Sequence, residues 1–131
     1  MKKGIAVFIV FFITLNAIGQ DTTCIYKLSQ YYNLDVKMLR IWRSDISGCL
    51  KKRGAYARDL QQNKSLISMP KNLFFLFFGH PDMSTYEGVC IYYLHSDCDK
   101  ARKKLPNGDG MNLIVLFEQG SLKSINIQIF N

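Results

Sequence analysis

The sequence lacks the local motifs by which many hydrolases and metalloenzymes are recognised. It contains no Gly-x-Ser-x-Gly segment and no His-Glu-x-x-His segment, so neither a nucleophile elbow nor a zinc-protease helix is indicated. Only two histidines are present, His80 and His95, and the acidic residues are scattered without a pair typical of an acid and base couple. His80, between Gly79 and Pro81, is interpreted as a turn residue. The sequence therefore predicts a protein that is not an enzyme and needs no cofactor.

The chain also lacks an internal repeat, a low-complexity segment and any recognised nucleic-acid-binding motif. Its charge is nevertheless positive, +7 for the whole chain and about +5 without the two N-terminal lysines. A positive surface attracts phosphorylated lipid, acidic polysaccharide or acidic protein. We expect a protein partner first, an anionic envelope lipid or polysaccharide as alternatives, and no nucleic acid.

The first 20 residues have the pattern of a signal peptide. A positive start is followed by the uncharged stretch 4–20, and Ala17-Ile18-Gly19 places small residues where a signal peptidase cuts. Cleavage is expected after Gly19 or Gln20, which would place the mature protein in the periplasm or outside the cell. The alternative is a retained membrane anchor. The uncharged stretch 4–20 is at the short limit of length for a spanning helix, which needs about 20 residues.

All four cysteines follow this segment, namely Cys24, Cys49, Cys90 and Cys98. An even number of cysteines in an exported chain predicts two disulfides, each contributing roughly 2–4 kcal/mol of stability. Three pairings are open, and the sequence does not choose among them. A metal site at Cys90, His95 and Cys98, or a catalytic thiolate beside a histidine, would require reduced cysteines. The disulfides are therefore favoured, and no metal or catalytic residue is assigned.

After a brief helix within 21–33, the sequence predicts a longer amphipathic helix. Its apolar positions recur at helical spacing, at Leu39, Trp42, Ile46 and Cys49. Trp42 is therefore interpreted as a core residue rather than part of a partner surface. If the helix continued, Arg53 would fall within the apolar stripe. A break near Gly54, or a hydrogen-bond acceptor for Arg53 at the boundary of helices and sheet, would remove that conflict.

A short helix that is apolar nearly all round is predicted within 69–79. Ser68 is expected to cap its first turn, Pro70 suits that turn, and Gly79 is expected to end it. A helix without a polar face is buried on more than one side. We therefore interpret its phenylalanines as core and not as a ligand site.

Three strands are predicted in the second half of the chain, at 89–94, 112–117 and 122–130, with Gly120 in the tight connection between the last two. The alternation of Ile125, Ile127 and Ile129 with polar residues is typical of an antiparallel strand with one buried face. The sequence thus predicts a single α+β domain over 21–131. Two or three helices would pack on one face of a three- to four-stranded antiparallel sheet.

The connection 95–110 between the first two strands is long and basic. It contains Lys100, Arg102, Lys103 and Lys104. Loops of this length are more often functional or mobile than ordinary hairpin connections are. We interpret the four cations as a candidate site for an anionic partner, and the alternative is a solvated loop without a role.

Two segments resemble a known family. Phe78-Gly79-His80-Pro81 and the segment Phe117 to Leu122 are similar to the Leu-Gly-x-Pro turn and the Phe-x-x-Gly-x-Val strand end of SmpA/OmlA-type bacterial envelope domains. The β-lactamase inhibitor protein has a similar arrangement. The resemblance covers 66–131, but this chain lacks the lipid-anchor cysteine and has the basic loop. It implies a non-enzymatic envelope or secreted interaction domain, or else an inhibitor or immunity-like binder of a secreted enzyme.

The segment Trp42 to Arg53 resembles exported proteins of Bacteroidetes-like bacteria, and this second resemblance implies no particular activity.

Overall fold

The computed structural model describes residues 21–106 and 108–130, so the predicted signal peptide lies outside the described residues. The helices are α1 (Asp21–Tyr31), α2 (Val36–Ser44), α3 (Gly54–Gln62) and α4 (Lys71–Phe78), with 3-10 turns at Ile46–Gly48 and Lys64–Leu66. Within these ranges no helix is long and apolar enough to cross a membrane.

Four strands form one antiparallel sheet with the spatial order β1-β2-β3-β4. Their bounds are β1 (Met83–Ser84), β2 (Val89–Ser96), β3 (Gly110–Glu118) and β4 (Ser121–Phe130). The three predicted strands correspond to β2, β3 and β4, and the two-residue β1 is added at one edge. The predicted α+β class is therefore confirmed.

The described chain divides into two compact units, one ending at Val36 and the other beginning at Lys37. In the first, α1 confirms the brief helix predicted within 21–33. The Leu34 N–H donates to the Ser29 carbonyl at 2.7 Å, which turns the chain after that helix. The prediction of a single domain over 21–131 stays a prediction.

The core of the second unit lies between the helices and one face of the sheet. The ring of Trp42 on α2 lies 5.8 Å from Tyr92 of β2 and 5.5 Å from Phe78 of α4. Phe74 of α4 contacts Phe117 of β3 edge to face at 5.5 Å. All five side chains are buried. The interpretation of Trp42 and of the Phe-rich helix as core is confirmed.

The start of α4 differs from the prediction. Ser68 does not cap α4. The residue directly before this helix is Pro70, and no side chain forms a capping hydrogen bond with its first turn. The Ser68 N–H instead donates to the Leu122 carbonyl, and the Lys71 N–H donates to the Gly120 carbonyl at 2.9 Å. A backbone carbonyl of the β3–β4 hairpin therefore accepts the hydrogen bond from the first turn of α4 that the Ser68 side chain was expected to accept.

The two predicted glycine positions are confirmed. Gly79 ends α4 with φ 81°, and its N–H donates to the Phe75 carbonyl at 2.8 Å. In the β3–β4 hairpin, Gln119 and Gly120 both have positive φ, at 53° and 77°. Positive φ at both central residues is typical of the two-residue turn that matches strand twist.

The apolar face predicted for β4 is only partly covered. Ile125 and Ile127 pair with Val115 and Leu113 of β3, as the alternation requires. Ile125 is buried, whereas Ile129 is 68% exposed. The alternating pattern thus predicted which side chains share a face of β4, but not how much of that face the helices cover.

The predicted long amphipathic helix ends earlier than its pattern indicated. α2 stops at Ser44, and Ile46, expected in the apolar stripe, is exposed. Gly48 follows with φ 68°, where a Cβ would lie 2.6 Å from the Tyr93 carbonyl oxygen. The chain passes so close to β2 that only glycine fits. Arg53 lies beyond this break, directly before α3.

Candidate functional site

The disulfide between Cys49 and Cys98 joins two basic segments that are far apart in the sequence. The two Cα atoms are 5.6 Å apart, and 49 positions separate the residues in the chain. Two exposed cations follow Cys49 within three residues, and three more follow Cys98. We call these five residues the basic surface: Lys51, Lys52, Lys100, Arg102 and Lys103.

The loop that carries the second segment is folded on itself. The carboxylate of Asp99 accepts hydrogen bonds from the backbone N–H groups of Ala101 and Lys103, both at 2.9 Å. The Asp99 N–H donates to the Lys103 carbonyl at 2.9 Å, and Cys98 forms an isolated bridge with Lys104. An aspartate that bonds its own following backbone is a common device for fixing a turn. The cations therefore project from a turn held at its base by a covalent bond.

The structure places the four predicted cations in two different settings. Lys100, Arg102 and Lys103 are exposed, and within the described residues none of them forms an ion pair. Lys104 is half-buried, with its Nζ atom 5.3 Å from the ring centre of Tyr93 and 5.5 Å from that of Phe130. Lys104 thus lies on the sheet and is separate from the basic surface. The binding role of these residues stays a prediction.

The sequence interpretation missed Lys51 and Lys52. Lys51 lies 3.4 Å from the carboxylate of Asp97, while the backbone N–H of Lys52 donates to Asp45. The run Lys51-Lys52-Arg53 was visible in the sequence as a small concentration of charge. Its proximity to the 95–110 connection depends on the disulfide pairing, which the sequence left open.

The prediction of two disulfides is wrong for the second pair. Cys24 and Cys90 are free thiols, whereas Cys49 and Cys98 are bonded. Cys90 points into the core from β2 and is only 1% exposed. Burial is the largest influence on its pKa and raises it, with a smaller lowering effect of Lys71. A protonated and buried thiol behaves as a small hydrophobic side chain, not as a nucleophile.

The alternative metal site at Cys90, His95 and Cys98 is excluded, because the Cys98 sulfur is bonded to Cys49. Across the described ranges no group of three or more histidine, cysteine or carboxylate side chains is arranged to hold a metal ion.

A buried ionic network fixes the backbone of the segment that carries Lys51 and Lys52. Asp45 is fully buried, and its carboxylate accepts from the backbone N–H groups of Leu50 and Lys52, each at 2.7 Å, and of Arg53 at 3.1 Å. Three such bonds compensate the removal of a carboxylate from water. They also hold 46–53 as a compact loop, so the positions of Cys49 and Lys51 are fixed.

Arg53 extends the same network to the sheet. Its guanidinium donates to the Trp42 carbonyl at 2.9 Å, to the Tyr93 carbonyl at 3.2 Å and to the Asp82 carboxylate at 3.1 Å. Asp82 also accepts from the Tyr93 N–H at 2.8 Å and from the Ser47 hydroxyl at 3.3 Å. Burial raises the pKa of Tyr93, and the charge of Asp82 acts in the same direction. An acceptor for Arg53, one of the two solutions that the sequence left open, is therefore present.

A cleft of about 240 Å³ lies beside Arg53, and its lining includes Arg43, Ser47, His80 and Asp82. The Arg43 guanidinium donates to the Leu76 carbonyl at 2.5 Å. The imidazole of His80 is exposed and lies 5.7 Å from the ring of Phe75. The carboxylate of Asp82 in this cleft is already engaged by Arg53, by the Tyr93 N–H and by the Ser47 hydroxyl.

Comparison of this chain with family models, curated proteins and solved structures finds no significant match.

Proposed function

We propose that this protein is a non-enzymatic, exported interaction domain of the bacterial envelope or of the secreted fraction. Its basic surface docks on an anionic partner. The observation that carries this proposal is that the Cys49–Cys98 disulfide joins two basic segments into one exposed surface. Four of its five cations have no ion pair within the described part of the chain.

Rigidity of the site supports the proposal. The Asp99 turn and the three hydrogen bonds to Asp45 hold both segments before any partner arrives. A surface that is ordered in advance loses less conformational entropy on binding than a flexible charged loop does.

The disulfide also supports export, because structural disulfides persist in oxidising compartments and are rare in the cytosol. We propose a periplasmic or extracellular location, with the signal peptide removed near Gly19 and Gln20. The resemblance of 66–131 to SmpA/OmlA-type envelope domains agrees with that location.

The test is a comparison of the mature protein with the triple variant Lys100→Glu, Arg102→Glu, Lys103→Glu. Binding is measured to three anionic probes, namely vesicles containing phosphatidylglycerol, polyglutamate and a sulfated polysaccharide. The triple variant should lose at least about tenfold in affinity for the probe that the wild type prefers, since close charge pairs contribute upwards of about 1 kcal/mol.

The matched control is Arg40→Glu, Arg58→Glu, Lys64→Glu, which changes the net charge equally at exposed positions outside the basic surface. If both triple variants lose affinity equally, binding follows net charge alone and the proposed site is wrong. The same conclusion holds if the loop variant binds every probe like the wild type.

A second candidate function, inhibition of a secreted enzyme, is favoured by one observation. Tyr86 is fully exposed at the tip of the β1–β2 connection, where the Thr85 N–H donates to the Val89 carbonyl at 2.9 Å. Exposed aromatic residues on rigid turns are frequent binding hot spots. An assay of β-lactamase activity with the wild type and with Tyr86→Ala tests this function. Inhibition that the substitution does not weaken would contradict the assigned role of Tyr86.

A further inference from the structure

Two exposed leucines belong to the same area as the basic surface. Leu50 is 39% exposed and Leu105 is 42% exposed. Leu50 lies between the disulfide-bonded Cys49 and Lys51, and Leu105 follows the turn that carries Lys100, Arg102 and Lys103. Each side chain therefore presents apolar atoms to solvent.

A short series of contacts connects the two leucines. The Leu105 N–H donates to the Asp97 carbonyl at 2.7 Å. The Asp97 carboxylate lies 3.4 Å from the Nζ atom of Lys51, which is the residue after Leu50. The backbone of Leu105 and the residue next to Leu50 therefore meet at Asp97.

The carboxylates of this area do not cancel its charge. Asp97 is paired with Lys51, and Asp99 accepts two backbone N–H groups of its own turn. Asp109 is exposed near the end of the connection. The area thus contains five cations and three carboxylates, and two of these carboxylates are already engaged.

The composition of the area favours a lipid surface over a protein partner. Protein interfaces are enriched in aromatic residues and arginine and depleted in lysine. Here four of the five cations are lysines, and the exposed apolar side chains are aliphatic. Clustered lysines are attracted to anionic headgroups, and aliphatic side chains gain by leaving water at the boundary of headgroups and acyl chains.

We propose that the partner is the surface of an anionic lipid bilayer. Lys51, Lys52, Lys100, Arg102 and Lys103 contact lipid phosphates, while Leu50 and Leu105 enter the headgroup region. This inference rests on the proposed function, because it assigns a partner to the same basic surface. It adds an apolar component that charge alone does not provide.

The experiment is co-sedimentation of the mature protein with vesicles. One set mixes phosphatidylglycerol with phosphatidylcholine, and the other contains phosphatidylcholine alone. The wild type should bind only the anionic set. At about 1 M salt, where the Debye length falls to about 3 Å, this binding should weaken strongly.

Two variants separate charge from apolar contact. The triple variant Lys100→Glu, Arg102→Glu, Lys103→Glu should lose about 100-fold or more, because each cation near an anionic surface contributes about 1 kcal/mol. The double variant Leu50→Ser, Leu105→Ser keeps every charge and should lose roughly tenfold, because part of two leucine side chains no longer leaves water. The matched control Ile67→Ser, Met83→Ser alters two apolar side chains elsewhere that are slightly more exposed, and it should bind like the wild type.

The outcomes distinguish this inference from the proposed function. If the leucine variant binds anionic vesicles as tightly as the wild type, insertion is wrong. If the wild type ignores vesicles but binds polyglutamate through the cations, the partner is an acidic protein. In that case the lipid assignment fails and the proposed function survives. If the triple variant keeps all binding, both fail. Circular dichroism of each variant verifies that a loss of binding is not a loss of folding.

Discussion

Arg53 and Asp82 form an ion pair that is nearly withdrawn from solvent and fastens the loop after α2 to the sheet. The guanidinium Nη1 lies 3.1 Å from the Asp82 Oδ2, and the two side chains are 7% and 12% exposed. The same guanidinium lies over the ring of Trp42, with its central carbon 5.1 Å from the ring centre. The guanidinium of Arg53 therefore contacts α2 through Trp42, β2 through Tyr93 and the residue before β1 through Asp82.

Arg53→Met should lower the free energy of unfolding by about 3 kcal/mol, because it leaves the Asp82 carboxylate buried without its partner. Urea denaturation measures the change. Arg58→Met, at an exposed position on the neighbouring helix, is the control and should change stability by less than about 0.5 kcal/mol. A small effect of Arg53→Met would mean that the pair is well hydrated.

Asp45→Asn should destabilise the protein by about 2 kcal/mol. The amide keeps the size of the side chain but retains one acceptor oxygen, whereas the carboxylate uses both oxygens for three backbone N–H groups. Thermal unfolding measures the change, and Asp59→Asn on the exposed side of α3 is the control. Equal melting temperatures for the two variants would contradict the assigned role of Asp45.

The double variant Cys49→Ser, Cys98→Ser should lose about 2–4 kcal/mol of stability, because the covalent link restricts the unfolded chain. It should also bind the anionic probes more weakly, since the two basic segments are no longer held together. Wild type treated with dithiothreitol should show the same two changes. Loss of stability without loss of binding would show that the charges act independently of the disulfide.

Thiol labelling tests the cysteine assignment. In the native protein iodoacetamide should modify Cys24 well before Cys90, because Cys90 is buried and its pKa is raised, so little thiolate is present near neutral pH. In urea without reductant, mass spectrometry should find Cys24 and Cys90 labelled and Cys49 and Cys98 protected. Failure to label any thiol in urea would restore the second disulfide.

Stability should fall at alkaline pH through Tyr92. Burial is the main cause of its raised pKa, followed by Cys90, and its hydroxyl donates to the Gly79 carbonyl at 2.7 Å. A folded-state pKa above the unfolded value of about 10 gives stability that is complete below pH 10 and declines as the pH rises further. Urea unfolding at a series of pH values should show this decline, and Tyr92→Phe should make it shallower, with Cys90 and Tyr93 accounting for the rest. Parallel curves for the two proteins would contradict this role.

Features of this fold that depend on neighbouring residues follow the sequence, whereas those that depend on distant contacts do not. The Phe-rich helix, the Gly79 end and the Gln119-Gly120 turn were predictable, because each depends on residues within a few positions. The cap at Ser68 was not, because backbone carbonyls from the β3–β4 hairpin displaced it. Helical periodicity also predicted too long a helix after Ser44. The chain turns there because the Asp45 carboxylate binds three backbone N–H groups of the following loop.

The sequence by itself determined the α+β class and the positions of its main strands and helices, since local propensity and apolar periodicity act along the chain. It also identified the cations of the 95–110 connection. Only the tertiary structure decided which cysteines pair, that Arg53 is satisfied by Asp82, and that Lys51 and Lys52 join Lys100 on one surface. Those outcomes depend on contacts between residues about 30 to 50 positions apart, which patterns within a single segment do not encode.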